Sequence, residues 1–288
     1  MEDGLRMVGN GGCEAWPLPG DPTCAGIARR TYRLVAGKLS LDPALIDDGE
    51  TIVSELAANT LHVRGEDSRG GAELWLYVRG GGASRELVCK VFDPYPGWLN
   101  GAPSGHARGA PDALCGRGLG VVHELSGGHW GYHLTRARLE GWHVRGKAVW
   151  FAMPVTAPEA VSARTRPGTG TAGAANGSLN GAANGIPAPR PPMTASEAMG
   201  ELEAGLAARG FGSTLVRADD RAGDMAVLSV CNGVTVWCRH GVVWLRAPGM
   251  SDQRYGYSEL VELTEQTVEA YETLVGDTET PQLASVSG

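Results

Sequence analysis

Glu55, Asn59 and His62 lie in the stretch SELAANTLH, residues 54 to 62. On a helix, positions i, i+4 and i+7 line one face, so a carboxylate, an amide and an imidazole point the same way. A carboxylate in such a place takes a proton from a water or a hydroxyl, and a neutral amide oxygen suits a hard cation such as Mg²⁺. Ile52, Leu56 and Val63 fall on an adjacent stripe, so one helix can bury a side and present its polar edge to a cavity. Taken alone, the same edge is what a solvated surface helix presents.

Two other stretches add to it. VFDPYPGW puts Asp93 at the end of a buried-looking strand, an acceptor able to read an exocyclic amine such as that of adenine. Singly, an Asp before a Pro is a turn residue bonded to its own backbone. GRGLG, with Gly116, Gly118 and Gly120, opens a helix, where small residues let backbone N–H groups approach a phosphate. Singly, it is a tight strand-to-helix turn. Together the three place nucleotide, magnesium and base in one cleft.

Three near-matches fail. GWHVRGKA (141 to 148) lacks the hydroxyl of a phosphate loop at Ala148 and runs into a strand, so it reads as a hairpin turn. GRGLGV has Val121 at the final glycine position of the dinucleotide fingerprint. His123 in HELS follows the nucleotide stretches and has no dimerisation helices before it, unlike a histidine-kinase phosphoacceptor.

The elements that must hold these residues are legible in outline. IARRTYRLVAGKL (27 to 39) and IDDGETIVSELAANTLHVRG (46 to 65) have helical periodicity, the second with acidic residues at its positive end. ELWLYVR (73 to 79) and ELVCKVFDP (86 to 94) alternate as an antiparallel hairpin. A turn-rich loop over 98 to 115 leads to a short helix, and HWGYHLT and KAVWFAMPV follow as strands. The order helix, helix, strand, strand, loop, helix, strand, strand predicts an α+β, two-layer α/β sandwich with helices on one sheet face. Residues 193 to 275 predict a smaller α+β unit: a helix with a glycine stop, four strands and a closing helix. That unit carries no catalytic constellation, and its Trp237 and Trp244 read as core or sheet-face residues.

The expected organisation is a first domain over 1–155, a flexible Gly/Ala/Pro/Asn-rich linker over 156–192, an accessory domain over 193–276 and a tail over 277–288. The linker has almost no large apolar side chains to offset the entropy of ordering it. A net charge of −7 and no basic cluster argue against direct nucleic-acid binding. No run approaches the roughly 20 apolar residues of a membrane span, and the start lacks the apolar core of a signal peptide, so the expected place is the cytoplasm. The six cysteines have no metal-site spacing and are expected as free thiols.

SELAANTLH, VFDPYPGW and GRGLGVV, in this order, resemble the N, G1 and G2 boxes of the GHKL (histidine-kinase-like) ATP-binding fold. Within it they are most similar to the actinobacterial anti-sigma-factor-like serine/threonine kinases, over about residues 23 to 155. The resemblance implies an ATP site with Asn59 on Mg²⁺, Glu55 as catalytic base and Asp93 on the adenine amine. Gly97 would complete the G1 box, and Gly116, Gly118, Leu119 and Gly120 would form the phosphate-binding lid. It implies as partners a sigma factor, a STAS-type anti-anti-sigma protein carrying the accepting serine, or both, and a possible homodimer. Two departures are visible: the family imidazole lies four residues after the asparagine, where this chain has Val63, and Tyr95 stands at the first G1 glycine. A non-catalytic partner-binding switch is the alternative, and an ATPase of the gyrase or mismatch-repair kind is a weaker reading, because residues 193 to 288 do not read as the transducer domain such enzymes carry.

Overall fold

The computed structural model describes residues 12–61, 70–81, 84–98, 117–139, 143–155, 193–231 and 233–279. The chain is mixed α+β, built on two antiparallel sheets. Strand β1 (Glu14–Leu18) leads into helices α1 (Thr23–Lys38) and α2 (Pro43–Asn59). Strands β2 (Ala72–Arg79) and β3 (Glu86–Asp93), helix α3 (Arg117–Leu125) and strands β4 (Trp130–Arg136) and β5 (Arg145–Pro154) follow. The first sheet has the order β1-β2-β3-β5-β4.

The helices form where the sequence gives them a stripe. Cys24, Ala28, Tyr32, Val35 and Ala36 make the buried side of α1, and Ile52, Val53, Leu56 and Ala57 that of α2. Asp42 caps α2 by accepting from Ala44 N at 2.8 Å, with Pro43 in the first turn. Gly49 lets the two helices meet, since a Cβ there would stand 2.2 Å from the Tyr32 ring. Their stripes cover the face of the sheet made by Leu74, Leu76, Leu87, Cys89, Val91, Val149 and Phe151.

The expected helix-first order needs one correction, because β1 precedes the helices. EAWPL is only five residues long and contains Pro17, which breaks a strand pattern but is tolerated on an edge, where β1 lies.

The C-terminal part runs α4 (Ala195–Leu206), a π-helical turn (Ala207–Phe211), β6 (Val216–Asp219), β7 (Met225–Cys231), β8 (Val234–Arg239), β9 (Val242–Arg246), β10 (Gln253–Gly256) and, after a short 3₁₀ turn, α5 (Leu260–Glu279). The sheet is a meander, β10-β9-β8-β7-β6, and therefore has five strands where four are expected. The extra one, QRYG, is too short and polar to show alternation. Thr194 and Glu197 form a reciprocal cap on α4, and the expected glycine stop is Gly210, at φ 85. Trp237 and Trp244 stack at 6.0 Å on the sheet face opposite the apolar core.

The other face of the first sheet is not left to water. Trp75, Tyr77, Lys90, Phe92, His133 and Thr135 point there and are all buried. Glu262, Glu265, Glu269 and Glu272, spaced three, four and three residues apart, form one stripe of α5. Three of these carboxylates meet the sheet: Glu262 accepts from Tyr77, Glu265 from Arg138 at 2.7 Å, and Glu272 from Arg145 at 2.7 Å and from Arg136. Arg209, from the π turn, reaches Glu265, Thr135 Oγ1 and the carbonyl of Arg136. Linker residues 156–192 and tail residues 280–288 lie outside the described residues. No helix among the described residues is long and apolar enough to cross a membrane.

Candidate functional site

Glu55 and Asn59 occupy the last two turns of α2, Glu55 half-buried and Asn59 exposed. Helix α3 crosses them at its first turn: a Cβ added to Gly118 would lie 3.2 Å from Glu55 Oε2 and 3.4 Å from Asn59 Nδ2. A glycine here gives the Glu55 carboxylate room that a larger residue would take, while Asn59 lies at ordinary contact distance. Neither side chain finds a hydrogen-bond partner among the described residues, so an acceptor and an amide are held ready beside a helix start. Leu119 turns into the core and anchors α3, while Gly120 is exposed. Gly116, His62 and Val63 lie outside the described residues, as do residues 99–115 of the long loop.

Asp93 closes β3. The register places it beyond Val91, on the sheet face that the helices cover, and opposite Lys147 of β5. Lys147 Nζ donates to Asp93 Oδ2 at 2.7 Å, to the carbonyl of Tyr95 at 2.6 Å and to that of Gly97 at 2.8 Å. Asp93 Oδ1 accepts from the Tyr95 backbone N–H at 3.0 Å. The Tyr95 and Trp98 rings flank the ammonium at 5.4 and 5.2 Å from its nitrogen. Gly97 gives the Tyr95 ring its present position, because a Cβ there would meet that ring at 2.7 Å and turn it aside. The Asp93 carboxylate therefore already has a cationic partner, and segment 93–98 is wound around it.

Lys147 is the residue that reading the sequence missed. Its stretch GWHVRGKA reads as a hairpin turn running into the strand KAVWFAMPV, and β5 begins two residues before that strand, at Arg145, so that Lys147 lies within it. The available signal was the pairing itself: oppositely charged residues directly across two strands stabilise each other. Gly146 beside it is equally fixed, since a Cβ there would stand 2.2 Å from the Asp93 carbonyl oxygen. His123 has a packing role, accepting from the Trp130 indole N–H at 3.2 Å.

Among the described residues no group of three or more His, Cys, Asp or Glu side chains is placed to hold a metal ion. Magnesium, which keeps most of its waters and takes one or two protein oxygens plus phosphate, does not require such a group, and Asn59 fits the single-ligand role.

A separate cleft of about 1120 Å³ opens on the other side of the first sheet, between His133 and Trp150 and the α5 carboxylates Glu262 and Glu269. Burial, with a contribution from Lys90, pulls His133 down to about 3, and burial pushes Glu269 up to about 7. Burial alone would raise Glu265, but Arg209, Arg138, Lys90 and His133 hold it well below the usual carboxylate range. Glu265 ties α5 to the sheet, and these groups lie on the face opposite Glu55 and Asn59. No family model matches the chain, and no curated protein matches it.

Proposed function

We propose that the N-terminal part is a GHKL-type Mg·ATP site serving an anti-sigma-factor-like serine/threonine kinase. The observation that carries the reading is the approach of Gly118 to Glu55 and Asn59, which joins two stretches some 60 residues apart on one face of the sheet. Asp93 opens onto that same face. In this reading a bound Mg²⁺ would supply charge neutralisation at the phosphates, while the serine oxygen of the partner bonds to the γ-phosphorus and ADP departs. Asn59 donates its amide oxygen to the cation, and Gly118 and Gly120 give backbone N–H groups to the phosphates. Glu55 takes the proton of an incoming serine hydroxyl from a STAS-type partner, and Asp93 orients the base. Catalysis is then mostly positioning.

Calorimetric titration with Mg·ATP tests the reading. Micromolar binding that Asn59→Ala abolishes is the expected result, together with loss of phosphotransfer in Glu55→Gln. Equal binding by the wild type and Asn59→Ala would refute it. The Asp93–Lys147 pair favours a second reading, in which the same fold clasps a sigma factor or its antagonist without turnover. Phosphoserine on such a partner would sink that alternative.

A further inference from the structure

An ammonium ion has three protons to donate, and that of Lys147 meets three acceptors: Asp93 Oδ2, the Tyr95 carbonyl and the Gly97 carbonyl. Its bonding capacity is therefore filled from within the chain. The Lys147 and Asp93 side chains are 7 and 10% exposed, so little room remains around the carboxylate for a further donor. The Asp93 oxygen not bonded to Lys147 is turned to the Tyr95 N–H. A nitrogen bearing hydrogens thus sits on Asp93 in the same chemical role as the exocyclic amine of a nucleobase.

We propose that Lys147 is an internal competitor for Asp93, and that a ligand amine reaches the carboxylate only by displacing the Lys147 ammonium. The proposal rests on the nucleotide reading above and adds what sets the affinity and base selectivity of that site. Displacement has a structural consequence, because the bonds to Tyr95 and Gly97 hold segment 93–98 and the flanking Tyr95 and Trp98 rings in place. Binding at Asp93 is thereby coupled to release of that segment. With Lys147 in place, Asp93 gives adenine no advantage over a purine that carries a keto oxygen where adenine has its amine.

Titration calorimetry on the full chain, with Mg·ATP and Mg·ITP, separates the cases. Lys147→Met keeps the length of the side chain and removes its donors. The expected result is about tenfold or greater tightening for Mg·ATP, the worth of one charge-assisted hydrogen bond, with a smaller change for Mg·ITP. Adding Asp93→Asn to Lys147→Met should abolish the gain. If the wild type and Lys147→Met bind Mg·ATP equally, and Asn59→Ala abolishes binding, the competitor is overturned while the nucleotide reading stands. No binding by any folded variant overturns both. Should Lys147→Met fail to fold by near-UV circular dichroism, Lys147→Gln retains a neutral donor to Asp93 and must show a smaller gain in the same direction; no gain overturns the proposal.

Discussion

Glu269 shows how position alone changes a side chain's chemistry. Burial raises it to about 7, the neighbouring Glu262 and Glu265 add to the rise, and Lys90 offsets part of it. A folded-state value above that of the unfolded chain means the folded protein holds the extra proton. The stability this contributes is complete below about 4.5 and is lost as pH rises through about 7. Glu269→Gln, which has no proton to lose, should gain up to about 3 kcal/mol over the wild type at pH 8 and nothing near pH 4. Urea unfolding at both values checks this, and parallel pH profiles for the two proteins would reject it. His133 has the opposite sign. Its value is depressed, so its contribution is present above about 6.5 and is lost as pH falls toward 3, where a buried imidazolium would face Lys90 at 3.1 Å. His133→Gln should therefore unfold at lower pH than the wild type in an acid titration followed by Trp fluorescence.

The meeting of α2 and α3 is where the proposed site is most sensitive. Gly118→Ala puts a methyl group 3.2 Å from Glu55 Oε2 while improving helix propensity by about 1 kcal/mol. Stability should move by no more than about 1 kcal/mol, whereas Mg·ATP affinity should fall about tenfold as the Glu55 carboxylate is pushed aside. Unchanged affinity in calorimetry would show that α3 does not shape the site. For α5 the corresponding residue is Glu265, fully buried among Lys90, Arg138 and Arg209. Replacing it with Gln leaves the buried Lys90 and Arg209 and the partly buried Arg138 without their carboxylate and should cost about 3 to 5 kcal/mol in a denaturant titration. A loss under about 1 kcal/mol would mean that water reaches these groups.

The two sheets hold together through a polar seam. Trp75 lies between the guanidinium groups of Arg138, which follows β4, and Arg209, which arrives from the C-terminal part, at 5.4 and 4.9 Å, and is fully buried. A chain ending at residue 155 would expose Trp75, Tyr77 and Phe92 as one apolar patch rimmed by cations. It should form larger species than the full chain in light scattering, and a well-behaved monomer of that length would contradict the seam's importance. The acidic stripe of α5 and the basic residues of the strands are each visible in the sequence, yet each alone describes a solvated face. Only packing shows that they meet.

The sequence by itself determined the apolar stripes of α1 and α2, the alternation in β2 and β3, and the polar edge at Glu55 and Asn59, because each depends on periodicity within a single element. It did not determine β1 or β10, whose four or five residues carry no periodic signal, and it placed Lys147 at the start of a strand without its partner Asp93. The closeness of Gly118 to Glu55, the Lys147 ammonium on Asp93 and the burial of Glu265 were decided by tertiary structure. Each joins residues far apart in the chain, and the free energy of such a contact depends on the solvent and charges that folding places around it.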